Sequence, residues 1–537
     1  MNRARYLLQS TLLVIIFLGL GKVTGFVRLL LVSQAYGTGR EADAFTSANQ
    51  LPEVFIVLIA GGALAAAFIP VYSQYLTSDR QREAAQLANT IITLVICLLG
   101  TIALLGAIFA PWLTRTIMVP DYDPELQALT ASLMRVILIQ TVLFGVSGVL
   151  SSILNANQHF ALPALAPIAL DIGYLVGLFA LTPTMGIHGL AWGTVLGGLL
   201  HILIQLPGLR RYRFRYRPDA RLVRFGLAEI GRQIRHFGQR LELGGSGRTV
   251  EGGVREIIYL MGPRIVMLSA IQAADIFVLR FGSGLAEGAV TSYFYGFTIM
   301  QLPETLLGTA IAIVVFPTMA ELFNEQRLAE MKALAITALR IIWVLTVPAA
   351  IALLIVGRPA IQLFLERGAF TALSTELVYA TVAIFSLRIV AEATVEIVAR
   401  LFYARHNTRT PMITYIVWFT LNVLLLYLLV PLLGIRGMAL ASTAAFTVLA
   451  VLLYWLNRRE LGSLSNGELV RTAIRALAAA AGMAAAIWLL GRLLGSGLLF
   501  LLVAVPAGLV IYFALNHLLG GREIPELLSL VRQRRSA

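Results

Sequence analysis

Long apolar runs separated by short polar segments make up most of this chain. A bilayer-spanning helix needs about 20 mostly apolar residues, and fourteen runs are long enough. They lie near residues 8–36, 44–74, 86–112, 128–154, 161–183, 186–208, 257–281, 288–319, 334–357, 373–399, 411–431, 435–456, 470–492 and 496–518. Spanning segments must satisfy their backbone hydrogen bonds internally, which favours helices. The pattern predicts an all-α integral membrane protein with 14 transmembrane helices, the first of them retained.

The apolar runs repeat along the chain. Pro163 and Gly186 in the first half match Pro411 and Gly434 in the second, each pair 248 residues apart. The tetrapeptide QLPE also occurs twice, in spans 2 and 8. Because six spans per copy is an even number, both copies enter the membrane in the same direction. The repeat predicts two six-helix lobes related by a parallel pseudo-two-fold axis, with spans 13 and 14 as two extra C-terminal helices.

The distribution of charged residues and apolar spans predicts the domain boundaries and the orientation of the chain in the membrane. The predicted domains are an N-terminal lobe (1–208), a basic loop (209–256), a C-terminal lobe (257–458) and a segment with two additional helices and a basic tail (459–537). With a cytoplasmic N-terminus, 28 of the 42 Lys and Arg residues fall on the cytoplasmic side and seven on the other. Because basic residues favour cytoplasmic loops, both termini are predicted to be cytoplasmic.

Composition supports the membrane assignment. The chain is 58% hydrophobic and 13% charged, with a mean hydropathy of +0.82, whereas soluble domains are about 25% charged. Twelve arginines within residues 210–255, interleaved with aromatics, account for much of the net charge of +14. In a membrane protein such a segment is typical of contact with anionic lipid head groups rather than nucleic acid. The single cysteine, Cys97, cannot form an intrachain disulfide.

Proline, glycine and charge within the spans indicate a transport path. The prolines of the QLPE motifs, and the sequence GKVTG at 21–25, predict bent or broken helices that line a cleft between the lobes. Ionisable groups in a bilayer are costly and face a partner or a wet cavity. They are Lys22, Arg28, Asp43, Glu53, Asp171, Arg264, Asp275, Glu304, Arg388, Glu392, Glu396 and Arg400.

Two interpretations of the charged residues stay open. The span-10 charges, Arg388 to Arg400, recur every four residues and therefore share one helix face. They form either a self-neutralising ladder buried between helices or a face that meets the substrate. Lys22 and Arg28, followed by carboxylates in span 2, resemble a cationic site for a phosphate-bearing group.

Catalytic motifs are missing from the sequence. It contains no phosphate-binding GxxxxGK[ST] loop, no GxSxG and no HExxH, and its six histidines lack metal-ligand spacing. We therefore expect a transporter without a cofactor or a metal site, and not an enzyme. Energy would come from a monovalent cation, the membrane potential, the substrate gradient or another chain.

Four segments resemble the MurJ (MviN) family of lipid II flippases, within the multidrug/oligosaccharidyl-lipid/polysaccharide exporter superfamily. They are GKVTGFVRLLLVSQAYGTGREADAF (21–45), LPEVFIVLIAGGALAAAFIPVYSQYL (51–76), LFLERGAFT (363–371) and FYARHNTRTP (402–411). The resemblance implies a monomer in the bacterial inner membrane that flips undecaprenyl-pyrophosphate-linked peptidoglycan precursor to the outer leaflet. It also implies that spans 13 and 14 form a groove for the lipid tail.

The resemblance also assigns individual residues. Lys22 stands where the family commonly has arginine, and Arg28 and Asp43 match directly. Relatives carry arginines at the positions of Ile56, Val57 and Thr298, and acidic residues at those of Gly61 and Gln301. The residues expected to bind substrate are Lys22, Arg28, Asp43, Glu53, Arg264, Gln301, Glu304, Arg388, Glu392 and Glu396. Asp275 and Asn422 are the residues expected at a cation site.

Three other functions remain open. The missing arginines favour a different polyprenyl-linked polysaccharide unit as cargo. A non-transporting membrane scaffold is disfavoured by the retained Lys22, Arg28 and Asp43. A small-molecule cation exporter is disfavoured because spans 13 and 14 suit a lipid substrate better.

Overall fold

The computed structural model describes residues 3–60, 63–78, 80–212, 214–235, 249–462, 466–495 and 497–523, and helices are the only regular secondary structure in those segments. Up to residue 282 the α-helices are α1 (Arg3–Tyr36), α2 (Arg40–Phe55), α3 (Ala63–Thr77), α4 (Gln81–Leu113), α5 (Pro124–Ala156), α6 (Ala161–Val176), α7 (Thr182–Met185), α8 (Ile187–Leu203), α9 (Leu206–Arg211), α10 (Ala220–Arg235) and α11 (Val250–Gly282). The later helices are α12 (Ala289–Glu304), α13 (Ala310–Asn324), α14 (Leu328–Leu365), α15 (Ala372–Ala404), α16 (Arg409–Leu433), α17 (Ile435–Leu461), α18 (Asn466–Leu494) and α19 (Leu498–Leu518).

The described helices confirm an all-α membrane protein. Ten segments in them are long and apolar enough to cross a membrane. The predicted spans 1, 2, 7 and 10 are not among the ten, and these lie in α1, in α2 with α3, in α11 and in α15. Those helices carry the predicted site charges except Asp171 and Glu304. The count of fourteen and the lobe symmetry stay predictions.

The chain forms two compact units. The first contains Met1–Ser33 and Arg40–Gly284, and the second contains Gln34–Gly39 and Leu285–Ala537. In the first unit α11 packs against α3, where Val254 and Ile257 join the apolar core around Phe68. The Tyr75 hydroxyl donates to the Thr249 carbonyl at 2.6 Å, which fixes the start of α11 against that core.

The second unit has its own core and includes the end of α1. The last two helices, α18 and α19, pack on α14 through an apolar cluster around Met483 and Tyr512. The backbone N–H of Ala369 donates to the Gln34 carbonyl at 2.8 Å. Gly37 has a φ of +58°, and a Cβ there would lie 2.2 Å from the Ala369 oxygen. The YGTG and ERGAF sequences therefore meet inside this unit.

Both QLPE sequences lie next to a π-helical segment. In α2, Pro52 precedes the π segment Ile56–Ala60, and in α12, Pro303 precedes the π segment Thr305–Thr309. Proline lacks the N–H that a regular helix needs, and wider turns are one way in which a helix absorbs the missing bond. The predicted irregularity of spans 2 and 8 is confirmed.

The predicted break at GKVTG is wrong, because α1 continues through it. Gly21 and Gly25 lie one turn apart on the side of α1 that faces α6. A Cβ on Gly21 would lie 3.7 Å from the Pro167 Cβ, and one on Gly25 would lie 3.9 Å from an Asp171 oxygen. Both distances are ordinary van der Waals separations, so α1 has room for a methyl group at these positions, and the two glycines do not interrupt the helix.

Candidate functional site

A charged cluster lies between α1 and α6 in the first unit, and we call it the Arg28 cluster. Arg28 Nη1 lies 3.0 Å from Asp171 Oδ1, and Thr24 Oγ1 donates to Asp171 Oδ2 at 2.6 Å. The Asp171 side chain is only 6% exposed, whereas that of Arg28 is 32% exposed. The carboxylate is thus held by two successive turns of α1, while part of the guanidinium stays accessible.

Tyr174 and Glu53 complete the Arg28 cluster. The Arg28 guanidinium carbon lies 4.4 Å from the centroid of the Tyr174 ring, a cation–π distance. Glu53 is exposed and interacts electrostatically with both Arg28 and Tyr174. Arg28 is therefore oriented by a ring and a buried carboxylate, and a second carboxylate lies nearby.

Lys22 and Asp43 have different surroundings. The Lys22 side chain is exposed on α1 and has no ion-pair partner within the described residues. Asp43 is buried in the first turn of α2 and interacts electrostatically with Tyr122, whose hydroxyl lies 3.4 Å from Ser47 Oγ. The same end of α2 carries Arg40, which pairs with Asp123 at 2.7 Å.

Asp123 begins α5 outside the membrane-spanning region. It caps α5 by accepting from the Leu126 N–H at 3.0 Å. That hydrogen bond, together with Arg40, holds the pKa of Asp123 below its usual range. The carboxylate is therefore charged where α2 and α5 begin.

The position of α6 depends on its packing against α8. Gly173 on α6 and Gly177, the residue directly after α6, face Gly197 and Gly193, and a Cβ on either would lie 2.2 to 2.4 Å from a backbone Cα of α8. Only glycine allows the two backbones to approach so closely. This contact fixes α6, which presents Asp171 and Tyr174 to α1.

A second charged cluster lies in the second unit, and we call it the Arg388 cluster. Arg388 Nε donates to Glu392 Oε2 at 2.8 Å, and Arg388 Nη1 donates to Ser442 Oγ at 2.5 Å. The guanidinium carbon lies 3.8 Å from the centroid of Phe446 and 4.9 Å from that of Phe297. Arg388 is therefore buried in an aromatic cage with its charge compensated.

Glu304 adds a further carboxylate to the Arg388 cluster. It is 3% exposed, accepts from Thr309 Oγ1 at 3.2 Å, and lies within electrostatic range of Arg388 and Glu392. Thr309 ends the π segment that follows the second QLPE sequence, so the irregular turn supplies the donor. A Cβ on Gly308 would lie 2.6 Å from a Glu304 oxygen.

The span-10 spacing forms the pairs that it predicts. Glu396 pairs with Arg400 one turn further along α15, as Arg388 does with Glu392. The interpretation as a self-neutralising ladder therefore describes these four residues. With Glu304, three carboxylates face two guanidiniums, so the cluster has an acidic excess among its described members.

The other predicted site residues lie at separate places. Arg264 lies on α11, and its side chain is outside the described residues. Asp275 is half-buried further along α11, in the first unit. In the second unit Gln301 is half-buried near the end of α12, and Asn422 is buried on α16. Gly61, where relatives carry an acidic residue, lies outside the described residues.

Four residues that complete the clusters were not among the predicted substrate ligands. Asp171 was recognisable as a carboxylate in an apolar span, but its partner on α1 was not. Tyr174 follows Asp171 by three residues, which places both on one helix face. Ser442 and Phe446 are one turn apart on α17 and give no sequence signal of a contact with Arg388.

Comparison with known proteins identifies relatives of the chain. The sequence model of the family described as "Lipid II flippase MurJ" matches residues 32–506. A probable lipid II flippase MurJ from Bdellovibrio bacteriovorus is 28% identical over 495 residues, which cover 90% of each chain. A lipid II flippase MurJ from Burkholderia cenocepacia is 27% identical over 459 residues, covering 85% of this chain and 84% of the relative.

Solved structures share the fold. The structure titled "Lipid II flippase MurJ, inward closed conformation" superposes with a TM-score of 0.77 at 19% identity, covering 94% of this chain and 98% of that one. An inward-facing multidrug resistance MATE family transporter of the MOP superfamily superposes with a TM-score of 0.64 at 16% identity, covering 83% and 96%. The chain therefore has a fold found in both kinds of transporter.

Proposed function

Because the chain belongs to the lipid II flippase MurJ family, we propose that it moves lipid II from the inner to the outer leaflet of the bacterial inner membrane. The observation that carries this proposal is the family match over residues 32–506. The apolar helices of the described residues support the placement as a multi-pass membrane protein. The cargo would be the undecaprenyl-pyrophosphate-linked peptidoglycan precursor.

In this proposal the Arg28 cluster binds the pyrophosphate during alternating access. A guanidinium has five N–H donors, and the Asp171 carboxylate uses only part of that capacity. The exposed part of Arg28 would donate to phosphate oxygens, with Lys22 adding a second positive charge on α1. Glu53 would balance Arg28 when no substrate is bound.

The remaining predicted residues receive supporting roles. Asp43, Arg264 and Gln301 are proposed as further contacts along the path. The acidic Arg388 cluster, with Glu304, Glu392 and Glu396, would interact electrostatically with the charged group of the substrate as it passes through the second unit.

We propose that a monovalent cation or the membrane potential drives the cycle. Asp275 in the first unit and Asn422 in the second would each be a candidate cation ligand, since carboxylate and amide oxygens suit hard cations. Asn422 Oδ1 is buried and accepts no hydrogen bond from the described residues, which supports a role as a ligand. Flipping by proteoliposomes with an imposed sodium gradient or potential would distinguish the two sources of energy.

The orientation and the mode of action complete the proposal. Both termini would face the cytoplasm, where the basic loop 209–256 would lie against anionic lipids. The protein would act as a monomer, and α18 and α19 would hold the lipid tail. Transport would involve no hydrolytic step by this chain, because its sequence contains none of the nucleotide or hydrolase motifs.

A complementation experiment tests the function. A strain depleted of its own lipid II flippase should regain growth when this chain is expressed, with membrane insertion checked by blotting of the membrane fraction. Failure of a correctly inserted chain to restore growth would overturn the proposal.

A second cargo is supported by one observation. Ile56 and Val57, where relatives carry arginines, are apolar and half-buried in the π segment of span 2. Fewer cations suit a polyprenyl-linked unit with less negative charge than lipid II. Flipping assays with purified chain in liposomes, comparing lipid II with a polyprenyl-linked polysaccharide precursor, would identify the preferred cargo.

A further inference from the structure

An apolar groove runs along the outside of the first unit, and none of the predicted site residues lines it. It has a volume of about 360 Å³, within the range of about 300–1,000 Å³ that is usual for small-ligand sites. Its lining residues are Ile92, Ile96, Val146, Leu150, Ile202, Leu206, Leu209, Phe214, Tyr216 and Arg210. Nine of these ten side chains are apolar or aromatic, so Arg210 is the one charge in the groove lining.

One side of the groove is fixed by a buried polar network. Gln205, which separates α8 from α9, donates through Nε2 to Ser147 Oγ at 2.6 Å. Gln205 Oε1 accepts from Ser151 Oγ at 2.9 Å, and Ser147 Oγ lies 2.6 Å from His201 Nδ1. These bonds join the α8–α9 turn to α5. The turn therefore directs α9, with Leu206, Leu209 and Arg210, along the groove.

The other side is held by the loop that follows α9. The Tyr216 hydroxyl lies 2.9 Å from Thr93 Oγ1 on α4, and Asn89 Nδ2 donates to the Arg215 carbonyl at 3.2 Å. The loop is thereby attached to α4, while α9 is attached to α5. Because both attachments are polar and specific, the groove between them is part of the fold.

The surroundings of Arg210 are strongly basic. Arg211, Arg215 and Arg217 are exposed in the adjoining segment. The next helix, α10, buries its apolar side within the first unit, where a Cβ on Gly226 would lie 2.5 Å from Leu94. Its exposed side carries Arg221, Arg224, Arg232 and Arg235. The basic segment thus presents arginines, rather than its apolar face, to the surroundings.

We propose that this groove binds one anionic phospholipid, with an acyl chain against its apolar lining and the phosphate on Arg210. Tyr216, which also lines the groove, has an apolar ring and a polar hydroxyl, the combination that places aromatic residues at membrane interfaces. The surrounding arginines attract anionic lipids by about 1 kcal/mol each. The site combines hydrocarbon and charge recognition in one structure.

A second groove in the same unit provides a matched comparison. It has a volume of about 560 Å³ and is lined by Leu143, Leu181, Met185, Trp192, Val195, Leu196 and Leu199. No charged side chain lines it among the described residues. Both grooves are open to lipid acyl chains in a bilayer, but only the groove with Arg210 should select an anionic head group.

Native mass spectrometry of the full chain, released from detergent with matched-chain phosphatidylglycerol or phosphatidylcholine, tests the proposal. The wild type should retain phosphatidylglycerol preferentially. Arg210→Ala should reduce that preference about fivefold, the equivalent of about 1 kcal/mol. Arg211→Ala, an exposed neighbour that does not line the groove, should have a smaller effect.

Blocking variants test whether the acyl chain occupies the groove. Val146→Phe should fill the groove and remove retained phosphatidylglycerol, whereas Val195→Phe in the second groove should leave it unchanged. If Val146→Phe does not fold, the exposed Arg210→Ala still tests whether the groove selects an anionic head group. Equal retention of both lipids by the wild type, or an unchanged preference in Arg210→Ala, would overturn the proposal.

The lipid measurement is independent of the cargo. Binding is recorded without transport, so a chain that fails to restore growth can still select phosphatidylglycerol. Conversely, growth restored by Arg210→Ala would leave the flippase function intact while the lipid preference is lost. The two proposals can therefore fail separately.

Discussion

Arg28 on α1 and Asp171 on α6 form an ion pair with 3.0 Å between Nη1 and Oδ1. The two residues are far apart in the sequence, yet the carboxylate also accepts from Thr24, one turn before Arg28. A charged pair in a membrane helix usually marks a functional path. Here the buried carboxylate holds a guanidinium that is still partly accessible, as a phosphate-binding residue requires.

Replacing Arg28 by alanine should abolish rescue of a flippase-depleted strain, because it removes the proposed phosphate ligand. It also leaves Asp171 without its cation in a largely buried position. Loss of a charged hydrogen-bond partner at such a site costs about 2 kcal/mol. The melting temperature of the purified variant in detergent should therefore fall together with growth.

The double variant Arg28→Ala with Asp171→Asn separates the two effects. It removes both charges, so the melting temperature should recover while rescue remains absent. If the double variant restores growth, Arg28 serves only to neutralise Asp171 and does not bind substrate.

Arg388→Lys should destabilise the protein although it keeps the positive charge. Lysine cannot donate through a planar fork to Glu392 and Ser442, and it stacks less well on Phe446. Arg388→Ala should be more severe, since breaking a buried pair costs about 3–5 kcal/mol. Thermal unfolding in detergent measures both changes.

The exposed pair between Arg358 and Glu376 provides the control for Arg388. Both side chains are about half exposed, and surface pairs contribute about 0–1 kcal/mol. Arg358→Ala should therefore change the melting temperature little. An equally large loss in this variant would contradict the special role of burial at Arg388.

Pro52→Ala and Pro303→Ala should stabilise their helices but impair transport. Each proline precedes a π segment, and removing proline from a helix interior is favourable by up to about 3 kcal/mol. A regular helix would move the donor Thr309 relative to Glu304 in the second case. Growth rescue and melting temperature should change in opposite directions.

Pro359→Ala in α14 is the comparison for the two proline variants. Pro359 lies inside a helix that has no π segment next to it. Its replacement should raise or preserve stability without reducing growth. Normal transport by Pro52→Ala and Pro303→Ala would show that the irregular turns are not used in the cycle.

Gly177→Ala should destabilise the packing of α6 on α8. The added Cβ would lie 2.4 Å from the Gly193 Cα, and overpacking of this kind costs about 1–3 kcal/mol. Gly100→Ala in α4 is the control, because nothing lies within 4 Å of its added Cβ. A lower melting temperature for Gly177→Ala alone would support the contact, and equal values would contradict it.

The sequence predicts the helices better than it predicts their contacts. Apolar runs locate α16 and α19 to within a few residues, because the bilayer requires long apolar helices. The ion pairs from Arg388 to Arg400 can also be predicted from the sequence, since both partners of each pair share one helix. The ion pair of Arg28 and Asp171 cannot be predicted from the sequence, because it depends on how α1 packs against α6.

Glycine positions account for other differences between the sequence prediction and the structure. GKVTG predicts a broken helix, whereas α1 continues unbroken through Gly21 and Gly25. The spacing of four between Gly173 and Gly177, repeated in α8, was a usable signal of close packing. Glycine has no side chain and adds nothing to a hydrophobic pattern. The pattern therefore does not show which helix these glycines contact, and the structure is needed to identify it.

The placement of α11 bears on how such a chain could have arisen by duplication. The predicted second copy of the repeat begins near residue 257, yet α11 completes the core of the first unit, and residues 34–39, which fall in the predicted first copy, belong to the second unit. A gene cut at the repeat boundary would encode two halves that each lack a piece of their own core. We therefore expect that a chain divided at the predicted repeat boundary would give two halves that need each other in order to fold.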